Sequence, residues 1–245
     1  MFQQSVSVKK TDIVKPFRTH DKYIIGIVGY KIGENTIGVS IPYYAFFSKY
    51  GEVKIIPPLN REVDLDIDLL VIPGGPDIDP LRYNARPHLF TGKPDILREW
   101  FDVNILPKYI ENKIPVFGIC RGHQSLAVLF GASLVQHVEH PTNEVDKRDV
   151  LVHNVHYNLN NDDFGITSVN SIHHQIVKNI PEGAVLIAFA DTHKFKGSKL
   201  INYNRSTCDI EALYYPEFNC ASVQWHPEEL DSDIITESLI NLLLN

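Results

Sequence analysis

The sequence predicts an α/β fold with a mostly parallel central sheet, helices on both sides of it, and an extension of antiparallel strands. Three observations carry this. From Tyr23 to Gly131 short apolar strands alternate with helical stretches, the pattern of right-handed βαβ units. The first of these strands is apolar on both faces, as strands in a covered parallel sheet are. From Ser133 onward the texture changes to successive strands with little helix between them.

The elements follow in order. Tyr23 to Gly29 is the first strand, and Ile41 to Tyr50 has helical spacing at Ile41, Tyr44, Ala45 and Phe47/Ser48, with Gly51 as the expected C-cap. Val53 to Pro57 and Asp68 to Pro73 are further strands, the second running into Gly74-Gly75. Ile96 to Glu111 is an amphipathic helix that Pro107 should kink or break. Ile114 to Ile119 is a short buried strand, followed without a gap by Cys120 and a helix to Phe130, which Gly131 ends. Val150 to Tyr157, Gly165 to Asn170, Ala184 to Ala190, Ile210 to Tyr215 and Ala221 to Trp225 are strands of the antiparallel extension, and Ile234 to Leu244 closes as a helix.

A chain of 245 residues can form one such domain, expected over residues 22–245 behind a short arm, residues 1–21. The arm lacks the apolar core of a signal peptide, and no apolar run approaches the roughly 18 residues of a membrane helix. Three cysteines, Cys120, Cys208 and Cys220, are too few and too odd for a disulfide framework. A cytoplasmic protein is expected, with no membrane partner. The net charge is −7 and the basic residues form no stripe, which argues against nucleic acid.

Gly118-Ile119-Cys120-Arg121-Gly122 has the form Gly-x-nucleophile-x-Gly between a strand and a helix. In so sharp a turn, side chains two residues either side of the nucleophile would collide with it or with the neighbouring helix and strand. At a helix N-terminus, the exposed N–H groups and the dipole favour thiolate over thiol. A buried, inert cysteine at a strand end is the plain alternative, and it is the reading given to Cys208 and Cys220, which lack flanking glycines.

A thiolate nucleophile needs a base that later acts as an acid toward the leaving group. His226 in Gln224-Trp225-His226-Pro227-Glu228 is the candidate. Pro227 restricts His226 to an extended backbone, in which residues two apart point the same way. Glu228 can therefore orient the imidazole. Pro73-Gly74-Gly75-Pro76 follows a buried strand and can present a backbone N–H, so the amides of Gly75 and Arg121 are the candidate oxyanion pair.

Together, Pro73-Gly74-Gly75, Gly118 to Gln124 and Trp225 to Glu228 resemble the three signature blocks of class I glutamine amidotransferase-like proteins, over about residues 23 to 244. Asp77-Ile78-Asp79-Pro80 followed by Tyr83, Arg121 after the nucleophile, and Val169 to Gln175 resemble the γ-glutamyl-γ-aminobutyrate hydrolase branch. The resemblance implies a flavodoxin-like three-layer core, no metal and no organic cofactor. It implies a Cys120-His226-Glu228 triad that cleaves a γ-glutamyl amide through a glutamyl thioester. It also implies contacts to the glutamyl group from Gln124 and from the backbone near His174 and Gln175. A free-standing hydrolase with a small γ-glutamyl substrate is the first expectation. A glutaminase component feeding ammonia to a separate synthetase is the second, and a non-catalytic binding protein on the same fold the third. A homodimer stays open, as does the leaving amine. The segment between the first strand and Pro73 lacks the longer insert of that branch, and it should border the leaving group.

Two other constellations point elsewhere at first sight. His137, His140, His153 and His156 lie close in sequence, but strand alternation separates His153 from His156 and no zinc-site spacing is present. Asp77 and Asp79 lack the series of a calcium loop and are expected to cap or hold the turn. Lys194 to Lys199 is expected to be a solvated β-turn.

Overall fold

The computed structural model describes residues 22–139, 142, 146–159, 165–191 and 208–245. The N-terminal arm, His140 and the Lys194 to Lys199 turn lie outside them. β1 (Tyr23–Val28) leads into β2 (Tyr30–Gly33) and β3 (Thr36–Gly38), which form a small separate hairpin.

Next comes α1 (Ile41–Phe47), which is shorter than expected and buries a different face. Tyr43, Phe46 and Phe47 are buried, whereas Ile41 is 82% and Tyr44 54% exposed. Both sets have helical spacing; the one with three aromatic rings removes more apolar surface from water. Gly51 does not cap this helix but opens β4 (Gly51–Ile56). A Cβ at Gly51 would stand 2.1 Å from the Tyr23 carbonyl oxygen, so glycine lets β4 start tight against β1.

β5 (Leu69–Ile72) precedes two helices, α2 (Ile96–Asn104) and α3 (Leu106–Glu111). The break suggested by Pro107 falls at Ile105, and Pro107 sits in the first turn of α3, where a missing N–H costs nothing. β6 (Val116–Ile119) and α4 (Arg121–Leu129) flank Cys120, and Gly131 at φ +92° lies just past the end of α4. The remaining elements are β7 (Leu134–Val135), β8 (His153–Tyr157), β9 (Gly165–Val169), β10 (Ile176–Val177), β11 (Val185–Asp191), β12 (Cys208–Tyr215), β13 (Cys220–Val223) and α5 (Ile234–Leu244).

The main sheet runs β4-β1-β5-β6-β13-β12-β11-β8-β9, with β10 and β7 attached beside β12. One strand departs from the sequence reading. β13 pairs parallel with β6, Val223 opposite Ile119, and antiparallel with β12. It therefore completes the parallel block, and the antiparallel extension begins at β12.

Each face of the sheet has its own core. Ile24 and Val28 of β1 pack with Phe101, Leu106, Tyr109 and Leu126 of the α2–α4 side. Ile25 and Ile27 pack with Phe46, Phe47, Leu239 and Leu243 of the α1 and α5 side. The period-two alternation makes three layers. Within α4, His123 is fully buried with Nδ1 2.8 Å from Ser222 Oγ. Burial lowers its pKa to about 3, against a weaker opposing effect of the Ile210 backbone. Below about pH 6.5 the unfolded chain takes up a proton that the folded chain refuses. Stability should therefore fall as pH drops from about 6.5 toward about 3, on the order of 1 kcal/mol per unit for this group. Urea denaturation at stepped pH checks this, and His123→Asn should flatten the slope.

Candidate active site

Three neighbouring parallel strands deliver the site. Ile72 of β5 lies opposite Gly118 of β6, and Ile119 of β6 lies opposite Val223 of β13. Adjacent strands are about 4.8 Å apart, so the segments leaving their C-terminal ends converge. Those segments carry Gly74-Gly75, Cys120 and His226.

Cys120 has φ 51° and ψ −104°, a conformation that costs a non-glycine residue energy. Its N–H donates to the Val223 carbonyl at 2.9 Å, and its own carbonyl accepts from Gln124 N–H at 3.1 Å. The glycines are required as the sequence suggests. A Cβ on Gly122 would lie 2.0 Å from the Ile72 carbonyl oxygen, and one on Gly118 would lie 2.6 Å from the Gly122 oxygen. Backbone thus packs on backbone beneath the nucleophile turn. Because the Cys120 amide is engaged, the next free donor of the turn is Arg121 N–H, at the first position of α4.

His226 Nδ1 stands 2.6 Å from Glu228 Oε1, and both side chains are buried. The pair forms by a different local route from the one the sequence suggests. His226 is near-extended at φ −111° and ψ 86°, but Pro227–Glu229 is a 3-10 turn that folds the carboxylate back onto the ring. Burial works against a charged imidazole here. The charges of Glu228 and Cys120, each also hydrogen-bonded to the ring, outweigh it and hold His226 well above the usual histidine range. Asn170 clamps the backbone of the same residue: His226 N–H donates to Oδ1 and Asn170 Nδ2 donates to the His226 carbonyl, both at 2.9 Å.

Arg98 sets the Gly-Gly turn. Its guanidinium is fully buried and donates to the carbonyls of Pro73 at 2.8 Å and Gly74 at 3.1 Å. In a trans peptide the N–H points opposite to the C=O. The Gly74 and Gly75 amides must therefore face away from Arg98. Gly74 N–H does so, donating to the Tyr43 hydroxyl at 2.9 Å. Burial, then the nearby Arg121 charge, bring the Arg98 pKa down to about 10, still cationic at neutral pH. Beneath, Arg121 binds Asp102 at 2.6 Å and Glu99 at 2.5 Å, and Arg82 joins the same two carboxylates at 3.2 and 3.4 Å.

The expected glutamyl contacts sit beside this turn. Both N–H bonds of the buried Gln124 amide are engaged, with the Gln175 carbonyl at 2.9 Å and Gln224 Oε1 at 3.1 Å. Only its carbonyl oxygen is left for a ligand. The side chain of His174 turns to Asp77 at 3.2 Å and His137 at 3.1 Å, and Gln175 Nε2 donates to the Gln136 carbonyl. Asp77 also accepts from Gly92 N–H, and Asp79 caps a 3-10 turn through Leu81 N–H, the holding roles expected of them. Of the four histidines that lie close in sequence, His153 instead stands 3.4 Å from Glu211. Among the described residues no group of three His, Cys, Asp or Glu gathers to hold a metal ion. Cys220 is buried and its thiol is pushed upward by that burial, an inert position.

A cleft of about 400 Å3 opens on the His226 side, with Tyr30, Lys31, Gly75, Arg148 and Glu229 among its walls. Sequence reasoning missed Tyr43 and Arg98, and gave Asn170 no role of its own within the Val169 to Gln175 run. Tyr43 was hidden by the misread face of α1. Arg98 carries no local pattern, because it acts on backbone far away in sequence.

A cysteine at a strand–helix elbow, faced by a buried His–Glu pair from the next strand, defines a class of α/β proteins with a cysteine-centred site. The Peptidase C26 family profile matches residues 51–228, and the chain belongs to that family, which is class I glutamine amidotransferase-like. It is 27% identical to the glutamine amidotransferase-like protein YvdE of Lactococcus lactis over 74% of this chain and 77% of that one. It is 30% identical to a glutamine-hydrolyzing GMP synthase component of Methanoregula boonei, over 67% of this chain and 77% of that one. Among solved structures, PurLQS from Thermotoga maritima has the same fold, with a TM-score of 0.58, 16% identity, and coverage of 91% and 98%. Among the described residues no helix is long and apolar enough to cross a membrane.

Proposed function

We propose that the protein is a cysteine-dependent hydrolase of γ-glutamyl amides, acting through a glutamyl thioester. The observation that carries this is the buried His226–Glu228 pair at 2.6 Å, in the electrostatic reach of a cysteine held at positive φ in the elbow. In this reading the Cys120 thiolate attacks the γ-carbonyl carbon, and its oxygen takes up the negative charge beside the Gly75 and Arg121 amides. The C–N bond breaks as imidazolium His226 gives its proton to the amine, leaving the thioester. Neutral His226 then takes a proton from water, the hydroxide attacks the thioester, and glutamate leaves with the thiolate restored. The free carbonyl oxygen of Gln124 suits the α-ammonium of the glutamyl group better than its carboxylate. The His226-side cleft receives the departing amine, and Tyr30 and Lys31 of the β2–β3 hairpin line it.

A screen for glutamate release from glutamine and a range of γ-glutamyl amides, with Cys120→Ala as blank, tests the proposal. Absence of Cys120-dependent release from every member would overturn it. The likeness to the GMP synthase component favours one second reading, a glutaminase serving a separate synthetase. Co-purification with a synthetase, and glutaminase activity that rises on binding it, would select that reading.

Gly74→Ala offers a sharper check of the geometry. A Cβ there would stand 2.7 Å from His226 Cε1 and 3.1 Å from the Tyr43 hydroxyl, so the imidazole must shift. A displacement near 1 Å of a catalytic group costs on the order of 100-fold in rate. Steady-state kinetics should show that loss in kcat.

A further inference from the structure

We propose that Tyr43 is a positioning residue of this site, its hydroxyl tying the Pro73-Gly74-Gly75 turn to the His226–Glu228 pair; this rests on the hydrolase reading above. Tyr43 projects from α1 and is 5% exposed. Its oxygen accepts from Gly74 N–H at 2.9 Å and lies 3.5 Å from His226 Nδ1. A phenol that accepts through its lone pair retains one proton to donate, and the His226–Glu228 pair is the group on that side. Burial, then the Glu228 charge, raise the phenol well above its ordinary range; the Gly74 contact pulls the other way, and a hydrogen bond to Glu228 adds to the rise. Tyr43 therefore stays protonated and acts as a fixed donor.

The consequence is a mechanical and electrostatic link between two halves of the site that arrive on different strands. One hydroxyl holds the turn bearing the Gly75 amide on one side. On the other it stands 3.5 Å from the base itself, within reach of the Glu228 charge. Part of the Glu228 charge is thereby taken up by Tyr43, which tempers its pull on the imidazolium proton. With the hydroxyl removed, that charge bears more fully on His226, and the ring should hold its proton to higher pH.

The test is Tyr43→Phe, which keeps the ring in the buried core that also holds Phe46 and Phe47. Exposed Tyr44→Phe on the same helix is the control. In the γ-glutamyl amide assay, kcat/KM of Tyr43→Phe should fall 10- to 100-fold, with the alkaline limb of its pH profile displaced upward. The pH dependence of Cys120 alkylation by iodoacetamide gives the same titration without any γ-glutamyl substrate, and its upper step should also move up. Alkylation profiles of Tyr43→Phe and wild type that superimpose would overturn the proposal, whatever happens to turnover. Lost turnover with an unmoved titration would overturn it too, reducing Tyr43 to a packing residue. If wild type releases no glutamate but the alkylation step still shifts, the hydrolase reading fails and the Tyr43 link stands.

Discussion

Cys120→Gly is expected to release no measurable glutamate and yet to unfold at a higher urea concentration than the wild-type protein. The two effects share one cause. In the proposed mechanism the Cys120 thiolate forms the thioester, so its loss should lower turnover by on the order of 10⁴-fold or more, to the level of the blank. The backbone there sits at φ 51° and ψ −104°, where a Cβ is strained and glycine is not. Such strain costs of order 1–3 kcal/mol, and the extra freedom glycine gives the unfolded chain takes back about 0.4–1 kcal/mol. A net gain of about 1 kcal/mol should remain. Cys120→Ala keeps a Cβ, so it should lose activity without that gain. A Cys120→Gly protein less stable than Cys120→Ala would show that the turn is not strained.

Much of the site was legible in the sequence because its parts lie in short runs. The elbow declares itself through Gly118 and Gly122, whose missing Cβ atoms the backbone contacts demand. The His226–Glu228 pair was legible as a pair but not in its conformation. A proline after histidine fixes the histidine backbone, yet does not say that the next residues coil into a 3-10 turn. The strand sequence of β13 reads the same in a parallel or an antiparallel place. Only its neighbours decide, and β6 on one side with β12 on the other gives it one of each.

What stayed illegible is what acts across distance or through a choice between equal patterns. In α1 the helical period allowed two faces, and the wrong one hid Tyr43. Arg98 looks like the polar face of an amphipathic helix. It is fully buried because the carbonyls of Pro73 and Gly74, 25 and 24 residues away, need a donor there. The β2–β3 hairpin has too few residues for a periodic signal, although it forms one wall of the cleft beside His226.

Asp102→Ala is expected to be among the most destabilising single changes in the protein, about 3–5 kcal/mol by urea denaturation. Asp102 is fully buried on α2 and faces Arg121 at 2.6 Å and Arg82 at 3.2 Å, with the Arg98 charge close by. Burial alone would favour its neutral form; the charges of Arg121, Arg98 and Arg82 overcome this and hold its pKa below the ordinary carboxylate value. Removing the carboxylate leaves Arg121 and Arg82 sharing Glu99, and takes the Asp102 charge away from Arg98. The cost is the uncompensated charge more than the lost bond, so a further Arg121→Met in the Asp102→Ala background should recover part of the stability. The pH dependence separates this group from His123. A depressed carboxylate contributes fully above its unfolded value near 3.8 and loses that contribution as pH falls through the lower folded value. His123 acts from about 6.5 down to about 3. Asp102→Ala should therefore leave the slope between pH 6.5 and pH 4 intact and remove the Asp102 share of the loss below it, leaving that of His123. Since Arg121 supplies the backbone amide next to Cys120, the same substitution should also loosen the nucleophile turn, seen as faster hydrogen exchange at the first amides of α4.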